Sequence, residues 1–370
     1  MSSMASIEWE QCLLQRVDDP EALRAVRKQL TMVPTAVHYF LGSPWIIRAI
    51  VSLNVMQLPL VSVPAGLRGL IPLVVSQDNS CRYCYEITRS TLKVLGVPEE
   101  HIERIEQDLP VAEFSAKTRA CLDFARHVSR ANPLATRHEA APLLAAGFSV
   151  DTVKEITFFT AVNIFFNRLA TLPALPIVIM EQEMGWAMRT FRPLFTLFLR
   201  VYMGSQLRRK AAPRMLRPEE RVGPMAPLIN ALDGLPAASL LRGIVNDAWA
   251  SPVLPRRAKA IVFAVVARGL GCCLSEADAV KVLHEEGLTE EQAENVLSHF
   301  DAPGLTAQER VIAPFARETI WYRAVQIQRR TRELQGGLTD AELVEVIGLA
   351  ALANTVCRLS VAADLSRADA

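Results

Sequence analysis

A self-similarity at a fixed offset constrains this chain more than any local pattern, because a duplicated unit must fold twice by one set of rules. Gly96-Val-Pro-Glu-Glu100, followed by His-Ile-Glu-Arg-Ile105, recurs 191 positions later as Gly287-Leu-Thr-Glu-Glu291 followed by Gln-Ala-Glu-Asn-Val296. At the same offset Phe114-Ser-Ala-Lys-Thr-Arg119 answers Leu305-Thr-Ala-Gln-Glu-Arg310, and Phe124-Ala-Arg126 answers Phe315-Ala-Arg317. After one deletion a third block continues the match: Gly147-Phe-Ser and Glu155-Ile156 against Gly337-Leu-Thr and Glu345-Val346, closing on Arg168 and Arg358. Generic helix grammar accounts for each block singly but not for three blocks in one order. The expectation is two copies of one module, with residues 60–170 and 250–360 superposing about a pseudo-two-fold axis.

Inside a copy the pattern is helix after helix. Ser115 to Arg130 places apolar residues at Ala116, Ala120, Leu122, Phe124 and Val128, while Gly96 and Gly147 stand where one helix stops and the next begins. Pro98 with Glu99 and Glu100 suits a first helical turn, since proline needs no N–H there and carboxylates favour the positive end of the helix dipole. No stretch alternates with period two for long, so the expected class is all-α. The expected organisation is an N-terminal helical extension over 1–58, a first module over 59–171, a linker over 172–235 and a second module over 236–362.

With 370 residues, 51% of them apolar, the chain can fill two cores. Forty basic residues against 39 acidic ones leave a net charge of +1, which gives no field to attract nucleic acid. The N-terminus MSSMASIEWEQ has no basic region leading into an apolar one, and apolar runs such as Ile156 to Phe166 are shorter than a membrane span needs. A cytoplasmic location and no transmembrane helix are therefore expected. Seven cysteines, an odd number, fit redox or metal chemistry better than a secreted disulfide framework.

The proline-rich segment 172–235 has its own character. From Arg189 to Arg221 nine basic residues face two glutamates, interleaved with Phe191, Leu194, Phe195, Leu197, Phe198, Leu199 and Tyr202. Two readings stand: a cover packed across the two modules, or a basic amphipathic helix in peripheral contact with a membrane.

Chemistry concentrates at Asp78-Asn79-Ser80-Cys81-Arg82-Tyr83-Cys84-Tyr85-Glu86-Ile87-Thr88. Asp78, Asn79 and Ser80 are helix-cap residue types, which predicts Cys81 in the first turn and Cys84 one turn on, on the same side. Sulfurs at that spacing can bridge, and the free N–H groups of a helix start favour the reactive thiolate. A zinc site would want two further ligands at suitable spacing, and the next histidine in sequence is His101, so neither metal nor cofactor is expected. A merely structural pair of buried cysteines is the plain alternative.

The run from Leu67 to Arg168 resembles the carboxymuconolactone decarboxylase superfamily, and its Asn-x-Cys-x-x-Cys points to the alkylhydroperoxidase (AhpD-like) branch. The resemblance rests on that motif, on Gly96-Val-Pro-Glu-Glu100, and on Gly147-Phe-Ser before a last helix with Asn163, Asn167 and Arg168. Residues from about Leu254 to Leu359 resemble a divergent second copy. The resemblance implies a thiol peroxidase in which Cys84 attacks a hydroperoxide and Cys81 resolves the sulfenic acid to a disulfide. It also implies a proton relay of a glutamate and a histidine, and here the chain departs from the pattern: Thr88 stands four residues after Cys84, and Gly69 stands twelve residues before Cys81. His127 and Glu86 are the candidate substitutes. In the second copy Cys272 matches Cys81, Ser275 matches Cys84, and Cys272 with its neighbour Cys273 is expected to serve packing.

The functional expectation is a weak thiol-dependent oxidoreductase acting on a small hydroperoxide or on a thiol or disulfide protein donor. The alternatives are a non-catalytic helical scaffold and a decarboxylase-type enzyme, which would need acid–base residues in place of cysteines. By resemblance, assembly as a trimer of pseudo-dimers is expected.

Overall fold

A computed structural model describes residues 4–30, 33–107, 114–131, 133–177 and 192–368, and their regular structure is helical. Three short helices, α1 (Pro20–Arg27), α2 (Val37–Phe40) and α3 (Pro44–Ser52), precede α4 (Ala65–Asp78), α5 (Arg82–Val94) and α6 (Glu99–Gln107). Then come α7 (Ala116–Arg130), α8 (Arg137–Ala145), the long α9 (Val150–Thr171) and α10 (Arg192–Arg208). The second half runs through α11 (Ala226–Asn230), α12 (Pro236–Ala250), α13 (Arg256–Leu270), α14 (Cys273–Glu285), α15 (Glu290–His299), α16 (Ala307–Glu318), α17 (Ala324–Glu333), α18 (Asp340–Cys357) and α19 (Ser360–Ala368).

The sequence offset is carried into the helices. α4, α5, α6 and α7 begin 191 positions before α13, α14, α15 and α16, and α9 begins 190 before α18. Start signals recur with them: Ser115 and Ser149 cap α7 and α9 as Thr306 and Thr339 cap α16 and α18, each accepting a bond from a first-turn N–H. Ser80 and Gly271, at matching positions, both take the left-handed conformation, with φ of 51° and 71°. Glycine adopts it freely; serine does so at a cost set by its Cβ.

α9 and α18 pack against each other at the centre, each also against a helix of its own half, α4 or α13, at matching positions. Burial on all sides explains why their sequences carry no polar stripe. The run Asp340–Arg367 is long and apolar enough to cross a membrane, yet 94% of its most apolar window lies inside the fold, as expected of a core helix.

Buried charge repeats as well. Arg68 on α4 donates to the carbonyls of Leu58 at 2.8 Å and Leu207 at 3.1 Å, and the matching Lys259 on α13 donates to Ala248 and Trp249 at 2.9 and 3.0 Å and also to Ser251. Each cation satisfies carbonyls at the end of a helix, α10 for Arg68 and α12 for Lys259, that would otherwise be buried unpaired. Opposite them stand the buried carboxylates Glu155 and Glu345. Glu155 accepts from the N–H groups of Val61 and Ser62 at 2.6 and 2.7 Å, and Glu345 accepts from Trp45 Nε1 at 2.7 Å across the two halves.

The contacts between halves are reciprocal. Arg168 on α9 donates Nε to Thr319 O at 3.0 Å and Nη2 to Ile320 O at 3.1 Å, while Arg358 beyond α18 donates Nε to Ser129 O at 3.4 Å. Residue 129 lies 191 positions before 320, so each arginine reaches the matching corner of the other half, the pattern of an isologous interface. α10 departs from the cover expected across both modules: its main packing is on α4 and α5 of the first half. Leu199, Gln206 and Leu207 supply its buried side. The first part of the basic stretch, 189–191, lies outside the described residues.

Candidate active site

The turn between α4 and α5 builds the site. The caps differ from those read from the sequence: α4 runs through Asp78, Asn79 closes it, Ser80 makes the left-handed turn, and Cys81 itself caps α5. The physical reason is a bond the cap scale omits. Cys81 Sγ accepts the N–H of Cys84 at 3.3 Å, filling the role normally given to a serine or aspartate oxygen. Cys84 follows one turn on, with its thiol in hydrogen-bond contact with Cys81.

The two thiols differ in environment. Burial of Cys81 works to raise its pKa, but the neighbouring Cys84 thiol, the nearby Thr171 side chain and the N–H groups of Cys84 and Tyr83 outweigh it and hold Cys81 below the usual thiol range. Cys84 is held well above that range, first by burial and then by the bond to Cys81 and its negative charge, with Asn167 acting in the opposite sense. The pair titrates together, and of its two sulfurs Cys81 is the one that more readily carries negative charge. Exposure runs the other way. Cys81 is fully buried, whereas Cys84 is half-buried and lines a cavity of about 190 Å³.

That cavity lies between α3, α4, α5, α9 and α10. Ile50, Pro72, Phe166 and Leu207 give it apolar walls, and Ser76, Thr88, Thr91, Asn163 and Asn167 add uncharged polar groups. Arg68 is the charged side chain among its lining residues, and it is already engaged with backbone carbonyls. Asn167 Oδ1 is buried without a hydrogen-bond partner, an unused acceptor beside Cys84.

Gly69 and Thr88, where the resemblance calls for a glutamate and a histidine, both line the same cavity. A side chain at 69 is obstructed, because a Cβ there would meet Leu92 Cδ2 at 3.0 Å. His127 and Glu86 are not among the residues that line this cavity. His127 lies on α7 along a separate depression with His138 and Glu139. Among the described residues no cluster of histidine, cysteine, aspartate and glutamate is arranged to hold a metal ion.

Two contributors come from outside the motif. Arg168, fully buried, donates Nη1 to Asn79 Oδ1 at 3.1 Å and so fixes the turn that carries Cys81. Tyr322, from the second half, places its ring 5.6 Å from the Arg168 guanidinium, and burial pushes its hydroxyl up against the opposing charge of Arg168, with Cys81 adding to the rise. The arginine was visible in the sequence as the end of a repeat block. Nothing in the spacing pointed to the tyrosine, which reaches the pair only through the packing of the two halves.

The second half keeps the backbone of the turn and loses both the sulfur cap and the cavity thiol. Cys272 stands before α14 with φ −88° and ψ 85°, against −86° and 89° at Cys81, but its side chain makes no capping hydrogen bond. Ser275, at the place of Cys84, donates to Met225 Sδ at 3.1 Å. The second sulfur comes instead from Cys357, which holds the place of Asn167 at an offset of 190 and shares a hydrogen bond with Cys272. Cys273, the sequence neighbour, is exposed. No family model, curated protein or solved structure matches the chain.

Proposed function

We propose that the chain is a dithiol oxidoreductase in which Cys84 reduces a hydroperoxide and Cys81 closes the disulfide. The observation that carries this reading is the arrangement of the pair: the more accessible thiol, Cys84, lines a largely apolar cavity, with a second sulfur directly behind it whose pKa is held lower.

In this reading Cys81 stands in for the absent histidine. Its thiolate accepts the proton that Cys84 already donates toward it, which frees the Cys84 thiolate to attack the terminal peroxide oxygen. The O–O bond breaks, Cys84 becomes a sulfenic acid, and the departing alkoxide takes a proton from Cys81 or water. The Cys81 thiolate then attacks the Cys84 sulfur, the S–OH bond breaks, and the hydroxide leaves as water with one further proton. The peroxide gains two electrons and the dithiol loses two, which an external thiol returns by exchange. Asn167, whose side chain favours the Cys84 anion, is a positioning residue in this scheme.

The lining of the cavity favours this reading over a decarboxylase-type one, since its described residues include no carboxylate or imidazole to move a proton. A non-catalytic scaffold is the second reading, favoured by Gly69 and Thr88 at the relay positions. A sulfenic-acid trap separates the two. In Cys81→Ser, which loses the resolving thiol and the base together, a dimedone adduct is expected to build up slowly on Cys84, and on no other cysteine, during prolonged treatment with one equivalent of cumene hydroperoxide at a pH high enough to ionise a thiol unaided. Labelling absent from Cys84, or spread over surface Cys273 alone, would support the scaffold.

A further inference from the structure

We infer that the outer face of α10 is a docking surface for an anionic phospholipid bilayer. α10 turns Leu199, Gln206 and Leu207 inward, and Leu207 reaches the wall of the Cys84 cavity. On the opposite side Leu197, Phe198 and Val201 are 57, 57 and 65% exposed, a contiguous apolar set at i, i+1 and i+4. Scattered single apolar residues need no explanation, but three together on one exposed helix face mark an interaction site.

The charge beside them says what kind. Residues 192–218 contain no aspartate or glutamate, and the helix ends in Arg208, Arg209 and Lys210, all exposed. No described carboxylate pairs with these three, whereas the cations further on are spoken for: Arg214 and Arg217 by Glu220, and Arg221 by Asp233. Val201, Ser205, Arg208 and Arg209 outline a shallow depression in which an apolar residue, a hydroxyl and two guanidinium groups converge. A protein partner would have to match this with acids around a hydrophobic centre. A lipid surface supplies both at once, acyl chains for the leucine, phenylalanine and valine and phosphate for the cations, which is how interfacial helices bind.

Ile87, 42% exposed, lines the Cys84 cavity and lies on α5, one of the helices that α10 packs against. The docking surface stands whether or not the cysteines are catalytic.

The test is co-sedimentation of the full chain with vesicles of phosphatidylcholine alone and of phosphatidylcholine with an equal part of phosphatidylglycerol. Binding to the anionic vesicles is expected, weakening as salt rises, with little binding to the neutral ones. Arg208→Ala/Arg209→Ala/Lys210→Ala should weaken it on the order of a hundredfold, as three surface cations near a charged leaflet would. Leu197→Ser/Val201→Ser should weaken it as well while leaving the circular dichroism spectrum unchanged. Equal partition onto both vesicles, or variants that bind like wild type, would overturn the proposal. So would light scattering showing a dimer that Val201→Arg dissociates, because the face would then belong to a second copy of the chain.

Discussion

Arg168→Ala is expected to cost about 3–5 kcal/mol of folding stability, a large part of the roughly 5–15 kcal/mol that a folded domain holds. The side chain is fully buried and makes three well-formed bonds, to Asn79 Oδ1, Thr319 O and Ile320 O. Removing it leaves three acceptors without water or protein to satisfy them, and each carries its own desolvation cost. One term works in the opposite direction. Arg358 is held well below its ordinary pKa, first by burial and then by the charge of Arg168, so deleting that charge relieves some repulsion. The relief is smaller than the loss, because Arg358 keeps its own acceptors at Asn354 O and Oδ1, at 2.8 and 3.0 Å. Arg168→Lys should recover little, since one ammonium cannot reach three divergent acceptors as a planar guanidinium does. Urea unfolding measures the difference, and a loss under about 1 kcal/mol would mean that the corner at Thr319 and Ile320 is not held by this residue.

Thr88→His should speed oxidation of Cys84 by roughly a hundredfold, the lower end of what general acid–base catalysis contributes. Position 88 lies four residues after Cys84 on α5, so an imidazole there stands one turn above the sulfur, and Thr88 is partly exposed with room beside it in the cavity. The rate in the wild type is expected to be low, because the accessible thiol is the one held above its usual pKa. With histidine present the rate should acquire an inflection near pH 6.5, rising as the imidazole loses its proton. Restoring a glutamate at 69 is the harder change, since Leu92 must move to admit it. Competition kinetics against a thiol of known reactivity reads the effect. An unchanged rate and a flat pH profile would show that the cavity does not bring a peroxide to Cys84.

The helical class was legible because the repeat blocks and glycine stops impose it, and helices α4 to α7 keep the offset with α13 to α16. The place of Cys84 one turn before Thr88 was legible because residues four apart share a helix face, whereas only the family resemblance pointed to Gly69 on the preceding helix. The cap was not. Asp78, Asn79 and Ser80 are stronger capping types than cysteine, and only the left-handed turn at Ser80 moves that role to Cys81. Long-range partners were not legible either: Tyr322 and Thr171 act on the pair from positions that no spacing connects to residue 81. The contact of Cys272 with Cys357 escaped for the same reason, since 85 residues separate them and Cys273 lies next door.

The most direct test of the dithiol reading is a count of free thiols in denaturant before and after one equivalent of cumene hydroperoxide. Seven thiols are present at the start. The account predicts that wild type loses two of them, that peptide mapping finds them joined as Cys81 to Cys84, and that Cys84→Ser keeps its full number. A wild type that keeps all seven, or a disulfide that joins any other pair, would contradict it.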